Sequence, residues 1–409
     1  MSDYASLNRN QRRVFDAAME WWKGDRRLPF EISGPPGSGK TYLINTIIDY
    51  LGISRSRVAP LAYTGAAAIN MRVHGMENAK TAHSWLYSPI VVPALDENGK
   101  QIMDPVYHKP KMVVKYVEKE SLPDIDLMLV DEGSTIPPSM RQTIEKHNIP
   151  VIVAGDINQL PPVHGQPAYL NDPKKIHMLT EIMRQAMDSG IVYISQMVKD
   201  GMRPRLGLWR DAYVIKPNQL KPYMLRKSKI IICGRNATRD YFNEVMRADY
   251  GFKGELPLYG ERVVCRKNNW NISTEDGINL TNGLLGKVVN DPKFTYNRSE
   301  DRFLLDFIPD IGSDDISIQK GIHQFNGLEC SYRYFVANSK QRESLRNDPY
   351  IRNERFEFGY AITTHMSQGS EYDNGIYIEE SLNKLINNRL NYVGVTRFRK
   401  FCIYVIEDD

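Results

Sequence analysis

The residues best suited to chemistry lie near the N-terminus, in the segment 34–41. It reads Gly-Pro-Pro-Gly-Ser-Gly-Lys-Thr, the full spacing of a phosphate-binding P-loop. A short strand pattern precedes it at 30–33, and apolar residues follow at helical spacing. The glycines let backbone N–H groups face phosphate oxygens, and the start of a helix favours their negative charge. The segment therefore predicts a nucleotide site.

Each polar side chain at this site has its own predicted role. Lys40 brings a mobile charge to the β and γ oxygens of ATP, and the Thr41 hydroxyl is suited to ligate Mg²⁺. The apolar run 125–130 ends in Asp131, a second Mg²⁺ partner, and Glu132, a candidate general base for hydrolysis. The loop residues expected to contact ATP are Gly37, Ser38, Gly39, Lys40 and Thr41.

A second segment separates this chain from many other P-loop proteins. Residues 155–163 read Gly-Asp-Ile-Asn-Gln-Leu-Pro-Pro-Val and resemble motif III of superfamily 1 helicases. The string Tyr-Val-Gly-Val-Thr-Arg at 392–397 and the chain length bring the resemblance closest to the RecD-like branch and its phage Dda-type members. It implies an α/β fold with two RecA-like parallel-sheet cores, ATP hydrolysis with Mg²⁺, and travel along single-stranded DNA from 5′ to 3′.

The same resemblance implies further residues around the nucleotide. The segments 7–11, 179–185, 361–372 and 389–397 are similar to four further helicase motifs. If the last of these lies on a second domain, ATP binding would draw the two domains together and hydrolysis would release them. The residues expected at the nucleotide are Gln11 for adenine, Gln159, Gln368, Glu371, and the two arginines Arg184 and Arg397 for the γ-phosphate.

Contacts to the nucleic-acid strand are likewise implied by motif. The expected residues are Thr64, Gly65, Thr81, His83, Trp85, Pro162, Arg235, Asn236, Thr364 and His365. Trp85 is our candidate for base stacking, although most aromatic residues of such a chain belong in its core. His83 could equally be a buried structural histidine. Met366 stands where close relatives carry a lysine, which affects one phosphate contact or part of the coupling between DNA and ATP. Tyr63 stands where relatives usually carry a proline, which would reshape the first loop expected to contact DNA.

The predicted organisation has two cores, each with an insertion. Residues 1–187 form the first RecA-like core, and 86–120 form a β-hairpin within it with a turn at 96–99. By resemblance the hairpin is the pin that splits a duplex, and a plain surface excursion is the alternative. The second core comprises 188–260 and 346–409, and 261–345 is a small SH3-like β-barrel insertion whose predicted strands include 332–336.

Composition narrows the class of protein without identifying it. The chain has 409 residues, a net charge of +4 and four widely spaced cysteines, so charge leaves nucleic-acid binding open and no disulfide framework is encoded. With no long apolar run and no secretory profile, we expect a cytoplasmic protein without a membrane partner. We expect a monomer acting on single-stranded DNA and on single-strand to duplex junctions, with replication or recombination proteins as further partners.

Three alternatives stay open at this stage. The first is an RNA helicase, because phosphate contacts do not by themselves distinguish RNA from DNA. The second is an ATP-gated module that binds nucleic acid without unwinding it. The third, a P-loop kinase, is disfavoured by the segment 155–163 and by the two late arginine motifs.

Overall fold

The computed structural model describes most of the chain. The described residues are 4–96, 99–103, 109–110, 112–122, 124–162, 165–181, 188–275, 278–297, 300–310, 324–346, 351, 353–382 and 384–407. Among them, no helix combines the length and the apolar character needed to cross a bilayer.

The first core is a six-stranded parallel sheet in the order β3-β2-β6-β7-β1-β8. Its strands are β1 (Phe30–Ser33), β2 (Val58–Ala62), β3 (Lys80–Thr81), β6 (Leu127–Val130), β7 (Val151–Gly155) and β8 (Ile176–Met178). β1, β2, β6 and β7 are buried along their whole length, as a parallel sheet covered on both faces requires. Its helices are α1 (Arg9–Lys23), α2 (Lys40–Tyr50), α3 (Gly65–Val73), α4 (Ala82–Leu86) and α5 (Pro138–Lys146).

Parallel strands bring the ends of β1, β6 and β7 to one edge of this sheet. The P-loop follows β1, the acids Asp131 and Glu132 follow β6, and Asp156 follows β7. Ligands bind at the carboxyl edge of such sheets. The topology of this sheet therefore places Lys40, Asp131 and Glu132 at the same edge.

The predicted hairpin is present as an antiparallel pair, β4 (Tyr87–Pro93) and β5 (Met112–Glu118). Beyond it, Leu95 pairs with Gln101, and the backbone N–H of Gly99 donates to the carbonyl of Asp96 at 3.0 Å. Gly99 has φ of 77°, a left-handed conformation that suits glycine. This hydrogen bond joins the two ends of the segment 96–99, as the predicted turn requires.

The second core is a six-stranded sheet in the order β20-β11-β21-β22-β10-β9, parallel except for its edge strand β9. Its strands are β9 (Gly207–Trp209), β10 (Ala212–Ile215), β11 (Ile231–Cys233), β20 (Ala361–Thr363), β21 (Tyr372–Ile378) and β22 (Phe398–Val405). Its helices are α6 (Gly190–Lys199), α7 (Pro222–Lys227), α8 (Asn236–Asp249) and α11 (Lys384–Val395).

The insertion is an antiparallel sheet with its own apolar core. Its strands are β12 (Arg262–Cys265), β15 (Leu285–Val288), β16 (Lys293–Asn297), β17 (Glu300–Pro309), β18 (Phe325–Ser331) and β19 (Phe356–Phe358), beside the pair β13 (Asn269–Ser273) and β14 (Asn279–Leu280). Because β19 pairs with β12, this sheet extends beyond the predicted limit at residue 345. We propose that the insertion runs from residue 261 to about 359.

One predicted strand of the insertion is wrong. Residues 332–336 form the short helix α9 (Tyr332–Val336), followed by α10 (Ser339–Leu345). The aromatic content of this segment is typical of a strand. However, the Ser331 hydroxyl accepts a hydrogen bond from the N–H of Tyr334 at 3.3 Å, which caps a helix. Tyr334 and Phe335 are buried by this arrangement.

A buried ion cluster joins the insertion to the second core. Glu357 of β19 lies 3.2 Å from Arg239, 3.0 Å from Arg266 and 3.7 Å from Arg342. Burial alone would raise the pKa of Glu357, but the three guanidinium groups together lower it to about 2. The carboxylate therefore remains charged, and its charge is required to balance buried arginines.

Candidate nucleotide and nucleic-acid site

The P-loop has the backbone shape that phosphate binding needs. Gly37 and Gly39 have φ of 78° and 77°, and α2 begins at Lys40. The Lys40 ammonium donates to the carbonyl of Gly34 at 2.6 Å and of Pro35 at 3.2 Å. The lysine is thus folded onto its own loop, within reach of the space that phosphate oxygens would occupy.

A cavity of about 550 Å³ opens over this loop and is lined by both cores. The first core contributes Gly37, Gly39, Lys40, Thr41, Asp131, Glu132 and Gln159, and the second contributes Glu371, Thr396 and Arg397. A cavity of this size suits a nucleotide-sized ligand. Nine of the predicted nucleotide residues therefore line one cavity, whereas Gln11, Ser38 and Gln368 are not part of its lining.

The two acids at the end of β6 are buried in this cavity. Burial raises the pKa of Asp131. The N–H of Glu132, which donates to the Asp131 carboxylate at 2.9 Å, and the charge of Lys40 both lower it, but burial has the larger effect. Burial also raises the pKa of Glu132 to about 7, even though Arg397 lowers it. A carboxylate with a pKa near neutrality is well matched to accept a proton from water.

Arg397 is the side chain of the second core that lies beside Glu132 of the first core. It follows α11, is 4% exposed, and its guanidinium lies 3.8 Å from the Glu132 carboxylate. Its Nε donates to the carbonyl of Val393 at 3.1 Å, which holds the side chain on its own core. The late arginine and the P-loop therefore face each other across one cavity.

Two further contacts fasten the cores together beside the nucleotide cavity. The Tyr392 hydroxyl, on α11, donates to the buried Asp156 carboxylate. The Gln368 amide donates to the carbonyl of Leu160 at 3.3 Å. Gln368 thus contacts the loop carrying Gln159, whose side-chain oxygen is buried without a partner among the described residues.

Gln11 lies behind the P-loop. Its side-chain amide donates to the carbonyl of Ser38 at 3.1 Å, and its carbonyl accepts from the N–H of Asn8 at 3.1 Å as part of the capping box of α1. The residue is fully buried. It therefore supports the loop, and its expected contact with adenine stays a prediction. The predicted Arg184 lies outside the described residues.

The predicted strand-contact residues of the first core divide by exposure. Thr64 caps α3, where its hydroxyl accepts from the N–H of Ala67 at 3.2 Å, and Thr81 caps α4 and is buried. Gly65 is buried against the insertion. His83 is exposed and stacks on Tyr87 with ring centroids 5.6 Å apart, so the alternative of a buried structural histidine is wrong.

Trp85 is held as part of the first core. Its indole N–H donates to the carbonyl of Pro60 at 2.9 Å, and the Lys80 ammonium lies 5.2 Å from its ring. The ring also packs against a buried apolar cluster of this core. Trp85 is half-buried in this arrangement, and its role in base stacking stays a prediction.

The residues of the second core that are predicted to contact the strand also differ in exposure. Arg235, Asn236 and His365 are exposed. Thr364 is fully buried, and its hydroxyl donates to the carbonyl of Cys233 at 3.1 Å. Its expected contact with the strand stays a prediction. Pro162, which belongs to the first core, is half-buried.

Sequence reasoning missed several residues that surround the site. Tyr392 lay within a recognised string, but nothing marked its hydroxyl as a link between cores. His74, at the end of α3, lines the nucleotide cavity and belongs to no recognised pattern. Arg266 of the insertion places its guanidinium 3.0 Å from the Met366 sulfur, so a cation lies beside the position where a lysine was expected.

Fold and site define a P-loop nucleotide-binding protein whose site is completed by a second RecA-like core. Comparison with known proteins agrees, because a family model of an AAA domain matches residues 26–165. The ATP-dependent DNA helicase Pif1 of Psychrobacter is 31% identical over 39% of this chain and 25% of its own length. The RecBCD subunit RecD of Buchnera aphidicola is 23% identical over 90% of this chain and 69% of its own.

An uncharacterized Methanocaldococcus jannaschii protein, MJ1519, is 23% identical over 92% of this chain and 36% of its own length. The chain thus spans about a third of that relative and a quarter of the Psychrobacter Pif1. Among solved structures, two Pif1 helicases coordinating at forked double-stranded DNA give a TM-score of 0.54, with 18% identity over 97% of this chain and 92% of that one. Bacteroides Pif1 bound to single-stranded DNA gives 0.51, with the same identity and coverage.

The chain is thus similar in sequence to Pif1 over part of its length and to RecD over most of it. It shares its fold with solved Pif1 structures.

Proposed function

We propose that the chain is an ATP-driven DNA helicase that steps along single-stranded DNA from 5′ to 3′ and unwinds duplex ahead of it. The observation that carries this proposal is the cavity shared by the two cores. Lys40 and Asp131 line it from the first core and Arg397 from the second. A nucleotide held there would bind the cores together, and its hydrolysis would loosen them.

The side chains support a division of labour in hydrolysis. Lys40 binds the β and γ oxygens, and Glu132 accepts the proton of the attacking water. Arg397 stabilises the charge that develops on the phosphoryl group, because its planar fork pairs with phosphate oxygens. While it faces Glu132, it also favours the charged form of that base. Closure of the cores would thus prepare the base and the transition state together.

The donors in the cavity also fit Mg²⁺. Among the described residues no cluster of three metal-ligating side chains exists, so an ion here would depend on Thr41, Asp131 and the phosphates. This is the usual arrangement for Mg²⁺ in nucleotide sites. When bound, the ion would neutralise charge on the phosphates. Burial raises the pKa of Asp131, and a cation beside it would favour the charged form of this carboxylate.

Several features support DNA as the track. The names of the relatives include a DNA helicase and a RecBCD subunit, and the similar structures include Pif1 bound to single-stranded DNA and at forked duplex. Exposed residues of both cores, including His83, Arg235 and His365, are available to a strand. We propose that the hairpin 86–120 separates the duplex, that the division into cores is the one described above, and that one chain suffices for stepping.

The test combines ATP hydrolysis and unwinding. Hydrolysis is measured with and without single-stranded DNA or RNA, and unwinding is measured on duplexes with a 5′ or a 3′ single-stranded tail. We expect stimulation by DNA and unwinding from the 5′ tail. Preferential stimulation by RNA would indicate an RNA helicase, and stimulation without unwinding would indicate an ATP-gated binding module. Equal hydrolysis with and without nucleic acid would refute the motor.

A further inference from the structure

The first turn of α3 is the place where all three parts of the molecule meet. Gly65 begins the helix in the first core and faces Thr281 of the insertion. A Cβ on Gly369, in the second core, would lie 2.6 Å from the Ala67 methyl and 3.0 Å from the Thr64 hydroxyl. Both distances are shorter than ordinary van der Waals contacts, so any residue larger than glycine at 369 would clash. The start of α3 is therefore in close contact with the insertion on one side and with the second core on the other.

The contact between Gly65 and Thr281 leaves no room for a side chain. A Cβ on Gly65 would lie 1.8 Å from the Thr281 hydroxyl oxygen and 2.5 Å from its Cβ. Thr281 is 2% exposed, and its hydroxyl is buried without a hydrogen-bond partner among the described residues. A buried hydroxyl without a partner destabilises a protein by about 1–3 kcal/mol, so the polarity of Thr281 does not stabilise this contact. We infer that the contact depends on the shape of the side chain.

The same helix continues to the nucleotide. One turn on, Ile69 packs against the apolar core of the insertion. At the other end of the helix, Asn70, Met71 and His74 line the nucleotide cavity. α3 thus runs from the segment predicted to touch the strand to the wall of the ATP site. Close-packed interiors transmit strain, so a shift at the start of this helix is expected to reach its end.

We propose that Thr281 is a positioning residue, through which the insertion holds the start of α3 in register for strand binding and for its coupling to ATP hydrolysis. The inference rests on the proposed function, because it concerns stimulation by the strand. Thr281 does not line the nucleotide cavity. It acts through Gly65, and the glycine is needed because the threonine occupies the space of its side chain.

The test is a graded rescue series. Gly65→Ala introduces the clash, Gly65→Ala with Thr281→Ala leaves a Cβ in the way, and Gly65→Ala with Thr281→Gly removes it. Alanine forms helix more readily than glycine by about 1 kcal/mol, so a loss in Gly65→Ala cannot come from helix propensity. Gly24→Ala is the matched control, since a Cβ there would meet its nearest atom at an ordinary 3.4 Å.

The readout is the concentration of single-stranded DNA that half-saturates ATP hydrolysis, because this value does not scale with the folded fraction. We expect Gly65→Ala to raise it about tenfold, equivalent to about 1.4 kcal/mol. The alanine double variant should recover partly, and the glycine double variant should return close to wild type. Thr281→Val keeps the shape without the hydroxyl and should leave the value unchanged.

Three results would overturn the inference. A Gly65→Ala variant with a lower melting temperature but an unchanged half-saturating concentration would make the contact merely structural. Failure of Thr281→Gly to rescue would mean that Gly65 itself meets the strand. A large loss in Thr281→Val would assign the hydroxyl a direct role. A wild type that DNA does not stimulate would instead refute the proposed function, and this inference with it.

Discussion

Removing Arg397 should abolish most hydrolysis while leaving nucleotide binding largely intact. Its guanidinium lies 3.8 Å from Glu132 in a buried cavity. Two unit charges at that separation interact by about 4 kcal/mol at an effective dielectric constant of about 20. If the same group meets the charge of the transferring phosphoryl at a similar distance, Arg397→Ala should lower kcat about a thousandfold, since each 1.4 kcal/mol is about tenfold.

Single-turnover hydrolysis at saturating ATP and single-stranded DNA measures this loss directly. Lys400→Ala is the control, because it removes the same charge from β22 at a side chain that is 72% exposed. Burial raises the pKa of Glu132 and Arg397 lowers it, so the variant should also need a higher pH to ionise its base. A loss below tenfold in Arg397→Ala, or an equal loss in the control, would refute the assigned role.

The remaining predictions concern single side chains. Lys40→Ala should abolish turnover but retain strand binding measured without ATP, because the lysine serves phosphates; lost binding would contradict this. The kcat should rise with pH through about 7, as Glu132 ionises, and Glu132→Gln should be inactive across that range. Tyr392→Phe should leave buried Asp156 short of a hydrogen bond and lower the free energy of unfolding by about 1–3 kcal/mol in urea titrations. Glu357→Gln should lower it by about 3–5 kcal/mol, because buried arginines lose their counter-charge; a loss under 1 kcal/mol would refute this.

Much of the fold followed from local patterns. The P-loop context fixed β1 and α2, and the apolar run before two acids fixed β6. Both patterns carry their own physical requirement, a buried parallel strand with polar ligands at its carboxyl end. The prediction of a strand at 332–336 is wrong because aromatic content alone does not separate a strand from a short buried helix. The local sequence does not indicate that β19 belongs to the insertion, because its partner β12 lies more than 90 residues earlier in the chain.

The residues of the nucleotide site could be predicted only where a single sequence motif indicates the role of its side chain. The sequence indicated Lys40, Asp131 and Arg397, and the fold brings them to one cavity. It did not indicate that Trp85 would be held by the Pro60 carbonyl, because that bond joins neighbouring strands and helices of the folded core. Nor did it indicate Thr281, whose contact with the first core depends on how two domains pack.

The most direct test of the shared cavity is a structure of this chain with Mg²⁺, single-stranded DNA and an ADP-based mimic of the transferring phosphoryl group. We expect the Arg397 guanidinium and the Lys40 ammonium both within about 3 Å of the mimic, as hydrogen bonding requires. A complex in which Lys40 contacts the mimic while Arg397 stays beyond hydrogen-bonding distance would contradict the claim that both cores bind the same nucleotide.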